Sequence, residues 1–262
     1  MKNKIILLLA VFTLMYSNKS FSQIDVNITD IKTDRTIAFS EIHDTYKLNK
    51  DVPTLVITWS GEWCYPCINL INRYNNCDLS MLNVITINID SEEDLEGALE
   101  NGYHLNWKNT LNFHANIGED ETGFDNVFNV SSAPLILYLN KGAVSDAVVT
   151  YSLYPYRLLE VGRINGVKFI WNSAEDLNSL AWSTYLREDD PGRLKEAMTW
   201  IDRSISLNQN YNNTDTYAAL LFKTGEYTKA LKTAKEAIEL AKENGEDYDT
   251  TTDLINKIIE KL

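Results

Sequence analysis

Hydrophobic and polar positions along the chain follow two different periods. Thr54-Leu-Val-Ile-Thr-Trp59 is a β-rich run bounded by Pro53 and Ser60-Gly61, which predicts a strand. Asn83-Val-Ile-Thr-Ile-Asn-Ile-Asp90 alternates and stops at Ser91. Ser91 is followed three residues later by Asp94, a capping pattern that predicts a helix to about Glu100. Pro134-Leu-Ile-Leu-Tyr-Leu139 reads as a third strand, closed by the turn Asn140-Lys141-Gly142. Val144 to Tyr151 reads as a fourth, so 134–151 predicts a hairpin. Tyr156 to Ile164 suits a closing helix. Strands interleaved with helices from Ile24 to about Gly166 predict an α/β sandwich. Residues 102–122, rich in Asn and acids and poorly patterned, read as an insertion.

From Ser173 to Leu262 the strand signals vanish. Ser173 with Asp176 opens a helix through Leu177, Leu180, Ala181 and Leu186, and Asp189-Asp190-Pro191-Gly192 breaks it. Ala197-x3-Ile201-x2-Ser204-Ile205-x-Leu207 then returns as Ala230-x3-Ala234-x2-Ala237-Ile238-x-Leu240, offset by 33 residues. This self-match, with Gly225 and Tyr227 at a turn, resembles the tetratricopeptide repeat, whose helix pairs recur at about 34 residues. Leu254, Ile255, Ile258, Ile259 and Leu262 give a last amphipathic helix. Trp171, Trp182 and Trp200 read as helical core. Two repeats are fewer than the roughly three an isolated solenoid needs, so this block is expected to pack against the first domain.

Met1 to Gln23 reads as a secretory signal. Lys2 and Lys4 precede an apolar run of 12, Ile5 to Tyr16, and Ser20-Phe21-Ser22 places small residues where a signal peptidase reads. Cleavage is expected after Ser22, giving a periplasmic or secreted protein. The 262-residue chain as a whole has ordinary globular composition, with 24 Lys+Arg against 37 Asp+Glu and a net charge of −13. So acidic a surface repels phosphate backbones, which counts against nucleic-acid binding.

The candidate chemistry lies at Glu62-Trp63-Cys64-Tyr65-Pro66-Cys67, where the strand ending at Trp59 runs into a helix carrying Ile68, Leu70 and Ile71. Cys64 thus sits at a helix N-terminus, where unpaired N–H groups and the dipole favour thiolate over thiol. An ordinary thiol, of pKa about 8.5, is a few per cent ionised at pH 7; lowering it to about 7 makes it half ionised. A spacing of three lets Cys67 resolve a mixed disulfide on Cys64. Pro66 is tolerated because the first turn needs no donor there. A static structural disulfide competes with this reading. Zinc would need two further ligands, and His43, His104 and His114 are scattered. Ile68 follows the second cysteine, where covalent haem attachment needs His. No cysteine has the upstream Thr of a peroxiredoxin pattern. Cys77 is the odd cysteine, a buried filler or a free thiol. Tyr151, Tyr154 and Tyr156 read as packing; Glu119-Asp-Glu121 reads as a solvated loop.

A strand, Trp-Cys-x-x-Cys, a helix, and a later Ala133-Pro134 opening a strand resemble the thioredoxin superfamily over roughly residues 24–166. The resemblance implies a central mixed sheet flanked by helices, followed here by an all-α helical-repeat domain. It divides the chain into a signal peptide (1–22), a thioredoxin-like domain (23–166), a linker (167–172) and a tetratricopeptide-like domain (173–262). It implies a cis Pro134 lying against the active-site disulfide, with the Ala133 backbone pairing to a bound thiol-bearing chain and Trp63, Tyr65 and Pro66 around it. Cys64 to Pro134 spans 70 residues, as in longer exported relatives resembling the TlpA/ResA-like reductases, which carry an insertion that residues 102–128 would fit. Leu55-Val-Ile-Thr-Trp59 lacks the buried carboxylate often found on that strand, leaving Glu62 as the nearest acid for proton transfer. The implied activity is thiol–disulfide exchange with protein thiols and disulfides, needing no cofactor beyond the Cys64–Cys67 pair and drawing on a membrane-anchored electron donor. The alternative is a non-catalytic scaffold that holds a protein partner through its helical repeats.

Overall fold

The computed structural model describes residues 25–115, 123–128, 130 and 132–262. The expected signal segment and Glu119-Asp-Glu121 lie outside the described residues. A seven-stranded mixed sheet runs in the order β2-β1-β5-β4-β3-β6-β7. Its strands are β1 (Asn27–Asp30), β2 (Thr36–Ala38), β3 (Thr54–Trp59), β4 (Asn83–Asn88), β5 (Leu111–Ala115), β6 (Leu135–Asn140) and β7 (Ala143–Val149). β3, β4 and β5 are parallel neighbours; β6 runs antiparallel to β3 and forms the expected hairpin with β7.

Every residue of β3 is buried, because both faces of the sheet are covered. Alternation divides its side chains. Leu55, Ile57 and Trp59, with Ile136 and Tyr138 of β6, face one core. Val56, with Ile85 and Ile87 of β4 and Leu135 and Leu137 of β6, faces the other. The second face is closed by Phe39, by Ile42 of α1 (Ile42–Thr45) and by Phe124 of α5 (Phe124–Val127). The first is closed by α2 (Tyr65–Asn75), which buries Ile68, Leu70, Ile71 and Tyr74. α3 (Glu92–Glu100) begins as expected, with Ser91 Oγ accepting from the Asp94 N–H.

The region read as an insertion holds structure. α4 (Tyr103–Asn106) leads into β5, which lies inside the sheet between β1 and β4. Its apolar signal is thin because Asn112 occupies a sheet position. That side chain is satisfied there by the Thr86 and Thr110 hydroxyls, both at 2.8 Å. The N-terminal hairpin β1–β2 is likewise an element that no run in the sequence announced. The closing helix α6 (Pro155–Glu160) is shorter than expected; the chain turns out at Gly162, φ 69°, and the Ile164 N–H returns to Leu158 O.

Residues 167–172, expected as a linker, include a 3-10 turn over Val167–Ile170 with Phe169 and Ile170 fully buried. Five helices follow: α7 (Ala174–Arg187), α8 (Pro191–Leu207), α9 (Tyr211–Lys223), α10 (Tyr227–Asn244) and α11 (Asp249–Ile259). The self-matching positions Ala197, Ile201, Ser204 and Ala230, Ala234, Ala237 are all buried, so small residues stand where helices meet. Of the tryptophans read as core, Trp200 is buried, but Trp182 is 38% exposed and stacks on Tyr185. One apolar cluster runs unbroken from β3 through α2 and Phe169 to Leu177, Ala181, Leu194 and Ile201. The helical block therefore completes the core beneath α2.

A buried ion pair marks this junction. Arg73 of α2 donates from Nη2 to Asp176 Oδ1 at 2.5 Å and from Nε to Oδ2 at 3.3 Å. Asp176 also accepts from Ser173 Oγ at 2.6 Å and from the Tyr156 N–H at 3.2 Å. The Tyr154 ring covers the guanidinium at 4.0 Å. Removing Asp176 takes the fully buried partner from Arg73, whose remaining ion-pair partner among the described residues is Glu175 at 3.7 Å, and leaves the Ser173 and Tyr156 donors without their acceptor. Asp176→Ala is expected to lower unfolding free energy by about 3 kcal/mol or more, read from the midpoint shift in urea denaturation. A shift no larger than that of Asp44→Ala, an exposed ion-pair partner, would show that the junction does not depend on this contact.

Candidate functional site

β3 and β4 are parallel and in register, Trp59 opposite Asn88, so the chain leaves both strands at the same edge of the sheet. From that edge Ser60 to Trp63 form a turn into α2. Cys64 is the N-cap of α2, and its carbonyl accepts from the Cys67 N–H at 3.0 Å and the Ile68 N–H at 3.4 Å. Pro66 lies in the first turn, where its missing N–H leaves no bond unmade. Cys64 and Cys67 are joined as a disulfide, Cα–Cα 5.3 Å. Cys67 is wholly buried and Cys64 is 5% exposed, while Trp63 and Tyr65 on either side of Cys64 are 59% and 66% exposed. The disulfide is thus a small opening between two projecting aromatic rings.

The Ala133–Pro134 peptide bond is cis. Ile57 pairs with Ile136, and the Leu135 N–H donates to Thr58 Oγ1 at 2.7 Å. Continuing that register brings Pro134 to the end of the sheet from which the Cys64 turn springs. Ala133 is half-buried and Pro134 buried. The structure so brings Trp63, Cys64, Tyr65, Pro66, Cys67, Ala133 and Pro134 to one edge.

Glu62, the acid singled out from the sequence, is exposed. Its carboxylate lies over Gly97 of α3, where an added Cβ would stand 3.1 Å from Oε1. The buried acid of this edge is Asp90, 6% exposed, on the segment leaving β4. Its carboxylate accepts from Ser60 Oγ, from the Gly61 N–H at 2.7 Å and from Asn88 Nδ2 at 2.7 Å. Ser60 Oγ in turn accepts from the Glu62 and Trp63 N–H groups, both at 3.1 Å. The signal in the sequence was positional: Asp90 follows β4 at the place where Gly61 follows β3.

Cys77 stands past the other end of α2, buried, its Sγ 3.4 Å from Arg73 O. Burial pushes its thiol up, and the side chain packs in the core cluster with Tyr74 and Leu82. Tyr154 and Tyr156 pack about Arg73, whereas Tyr151 is 60% exposed. Among the described residues no group of three or more His, Cys, Asp or Glu could hold a metal ion.

Two outcomes test this geometry. A Cβ at Gly61 would meet the Ala98 backbone at 2.7–2.8 Å. Gly61→Ala is therefore expected to cost about 1–3 kcal/mol by overpacking, seen as a lower urea midpoint; an unchanged midpoint would contradict the close approach of α3. Reduced native protein is expected to leave Cys77 unmodified by iodoacetamide under conditions that label Cys64 fully, and to expose it only in denaturant.

No family model and no curated protein matches the chain. Among solved structures it is similar to a thioredoxin-like protein from Porphyromonas gingivalis, at 16% identity over 53% of this chain and 86% of that one, TM-score 0.38. It is also similar to a secreted Mycobacterium tuberculosis disulfide oxidoreductase homologous to E. coli DsbE, at 13% identity over 54% and 95%, TM-score 0.36. A third is a thioredoxin-like protein from Aeropyrum pernix, at 16% identity over 54% and 91%, TM-score 0.36.

Proposed function

We propose that this chain, a thioredoxin-like fold with a C-terminal helical region, is an exported thiol–disulfide oxidoreductase acting on protein thiols and disulfides. The observation that carries the reading is the Cys64–Cys67 disulfide at the start of α2, framed by exposed Trp63 and Tyr65. In the reducing direction the Cys64 thiolate attacks one sulfur of a client disulfide and expels the other as a client thiolate. Deprotonated Cys67 then attacks Cys64 Sγ, re-forms the Cys64–Cys67 bond and expels the second client thiolate. Two electrons pass to the client. The same steps run backwards oxidise a client dithiol. The dipole of α2 stabilises charge on Cys64 but reaches Cys67 less well. Client backbone pairs at Ala133 beside Pro134, and the projecting rings of Trp63 and Tyr65, with Pro66, form the rim. Reduced protein would be regenerated by a membrane-anchored donor outside the cytoplasm, consistent with the leader-like first 22 residues.

The helical block serves first as the lower half of the core under α2, since its residues share one apolar cluster with the sheet. The scaffold reading, in which it also holds a protein partner, draws on the exposed Trp182 and Leu186 of α7.

Cys67→Ser removes the sulfur that releases the mixed disulfide, while Cys64 remains able to attack. This variant is expected to hold client proteins covalently for minutes or longer on non-reducing gels, and Cys64→Ser to hold far fewer. Absence of trapped protein from Cys67→Ser, together with a native disulfide that does not cycle with dithiothreitol at neutral pH, would sink the oxidoreductase reading in favour of a static disulfide.

A further inference from the structure

The turn before Cys64 exposes three backbone donors in succession, and all three are already spent. The Gly61 N–H goes to Asp90 Oδ2 at 2.7 Å, and the Glu62 and Trp63 N–H groups go to Ser60 Oγ at 3.1 Å each. The Ser60 hydroxyl donates to Asp90 Oδ1. Asn88 fixes the carboxylate from behind, donating from Nδ2 to Oδ2 at 2.7 Å while its Oδ1 accepts the Asp90 N–H at 3.1 Å. Ser60 is wholly buried and Asp90 nearly so. Gly61 is wedged against Ala98 of α3, which leaves the turn no room to rotate as a body.

The geometry points to Asp90, acting through Ser60, as the positioning residue that sets the balance between the disulfide and dithiol forms of Cys64–Cys67. This inference rests on the oxidoreductase reading and adds a determinant to it. Reduction turns a neutral disulfide into a site where Cys64 carries thiolate charge, and nearby N–H donors stabilise that charge. The clamp keeps the three donors of residues 61–63 turned to Asp90 and Ser60, and so away from the sulfur. The carboxylate also places negative charge at the same edge of the sheet, which opposes a second negative charge there. Both effects favour the disulfide. Releasing the clamp should favour the dithiol.

Asparagine is no mimic at this position. Oδ1 and Oδ2 both receive donors, from Ser60 on one side and from Gly61 and Asn88 on the other. An amide must put its NH2 against one of these sides. Turned toward Ser60, the NH2 meets an oxygen whose lone pairs already serve Glu62 and Trp63. Asp90→Asn therefore removes the charge and loosens the turn together. Ser60→Ala keeps the charge and frees only the Glu62 and Trp63 donors, so its effect should have the same sign and be smaller. Asp30 supplies the control. It is 8% exposed, accepts from the Lys32 and Thr33 N–H groups at 2.8 and 2.9 Å and from Tyr46 at 2.6 Å, but it holds the β1–β2 turn. Asp30→Asn should cost stability without touching the couple.

The full chain and the three variants are equilibrated with mixtures of glutathione and glutathione disulfide, quenched with acid and alkylated to count the dithiol form. Two glutathiones reduce Cys64–Cys67 and leave as one glutathione disulfide, so the ratio reads the equilibrium directly. The dithiol-to-disulfide ratio is expected to rise about threefold or more for Asp90→Asn, to rise less for Ser60→Ala and to stay at the wild-type value for Asp30→Asn. Thermal unfolding is recorded in parallel. Unchanged or falling ratios in folded Asp90→Asn and Ser60→Ala would overturn the inference, as would a shift in Asp30→Asn matching its loss of Tm. If Asp90→Asn does not fold, Ser60→Ala decides by the same criterion. A wild-type pair that never equilibrates with glutathione would instead remove the oxidoreductase reading beneath it.

Discussion

The guanidinium of Arg73 lies within hydrogen-bonding distance of Asp176 in the seam between α2 and α7, under the ring of Tyr154. Much of the architecture hangs on that seam. α2 covers one face of the sheet with Leu99 of α3 beside it, and its far side would be bare hydrocarbon without Phe169, Ile170, Leu177 and Ala181. The Asp78 N–H reaches Phe169 O at 2.8 Å, and Tyr74 donates to Leu153 O at 2.7 Å, so the C-terminal end of α2 is held by residues that follow the sheet. Burying an ion pair is often close to neutral against an apolar replacement, but it fixes one mutual placement of the elements that carry it. Here the fixed element is the helix that begins at the disulfide.

The two ends of α2 are thus secured by different means. At its C-terminal end, packing and a charge pair tie it to the helical block. At its N-terminal end, the Asp90–Ser60 bonds tie the preceding turn to the neighbouring strand. Only the short stretch holding Cys64, Tyr65 and Pro66 lies between rigid supports. Preorganisation of this sort limits the sulfur to few positions, which thiol–disulfide exchange rewards because attack needs alignment with the bond being broken.

Legibility in the sequence followed the strength of each local signal. β3, β4 and β6 were legible because strands buried between two cores keep apolar, β-rich runs, and β7, exposed along its length, was legible from the Asn140-Lys141-Gly142 turn that joins it to β6. Ser91 and Ser173 announced helix starts, and each caps its helix; Asp190, legible only as part of a helix break, also caps the helix that follows it. The motif from Trp63 to Cys67 was legible because its spacing is chemical. β5 was hidden because its alternation spans only Leu111 to Ala115 in an Asn-rich stretch, and the polar network that satisfies Asn112 exists only once Thr86 and Thr110 are beside it. Asp90 was hidden for a similar reason: in the sequence it is the last residue before a helix cap, and only parallel pairing of β3 with β4 sets it against Ser60. Trp182 was misread because a helix that looks amphipathic does not reveal which of its flanks a neighbour will cover.

The sealed state of Cys77 has a consequence for electron counting. A protein with three sulfurs within one small region could exist as several pairings, and an oxidising compartment would sort among them slowly and imperfectly. With one thiol buried beyond the end of α2, where burial also pushes its pKa up, the fold favours the Cys64–Cys67 pairing over the others. On the proposed oxidoreductase reading, the molecule is left with a single two-electron couple and two covalent states, so each turnover would begin and end on a defined species.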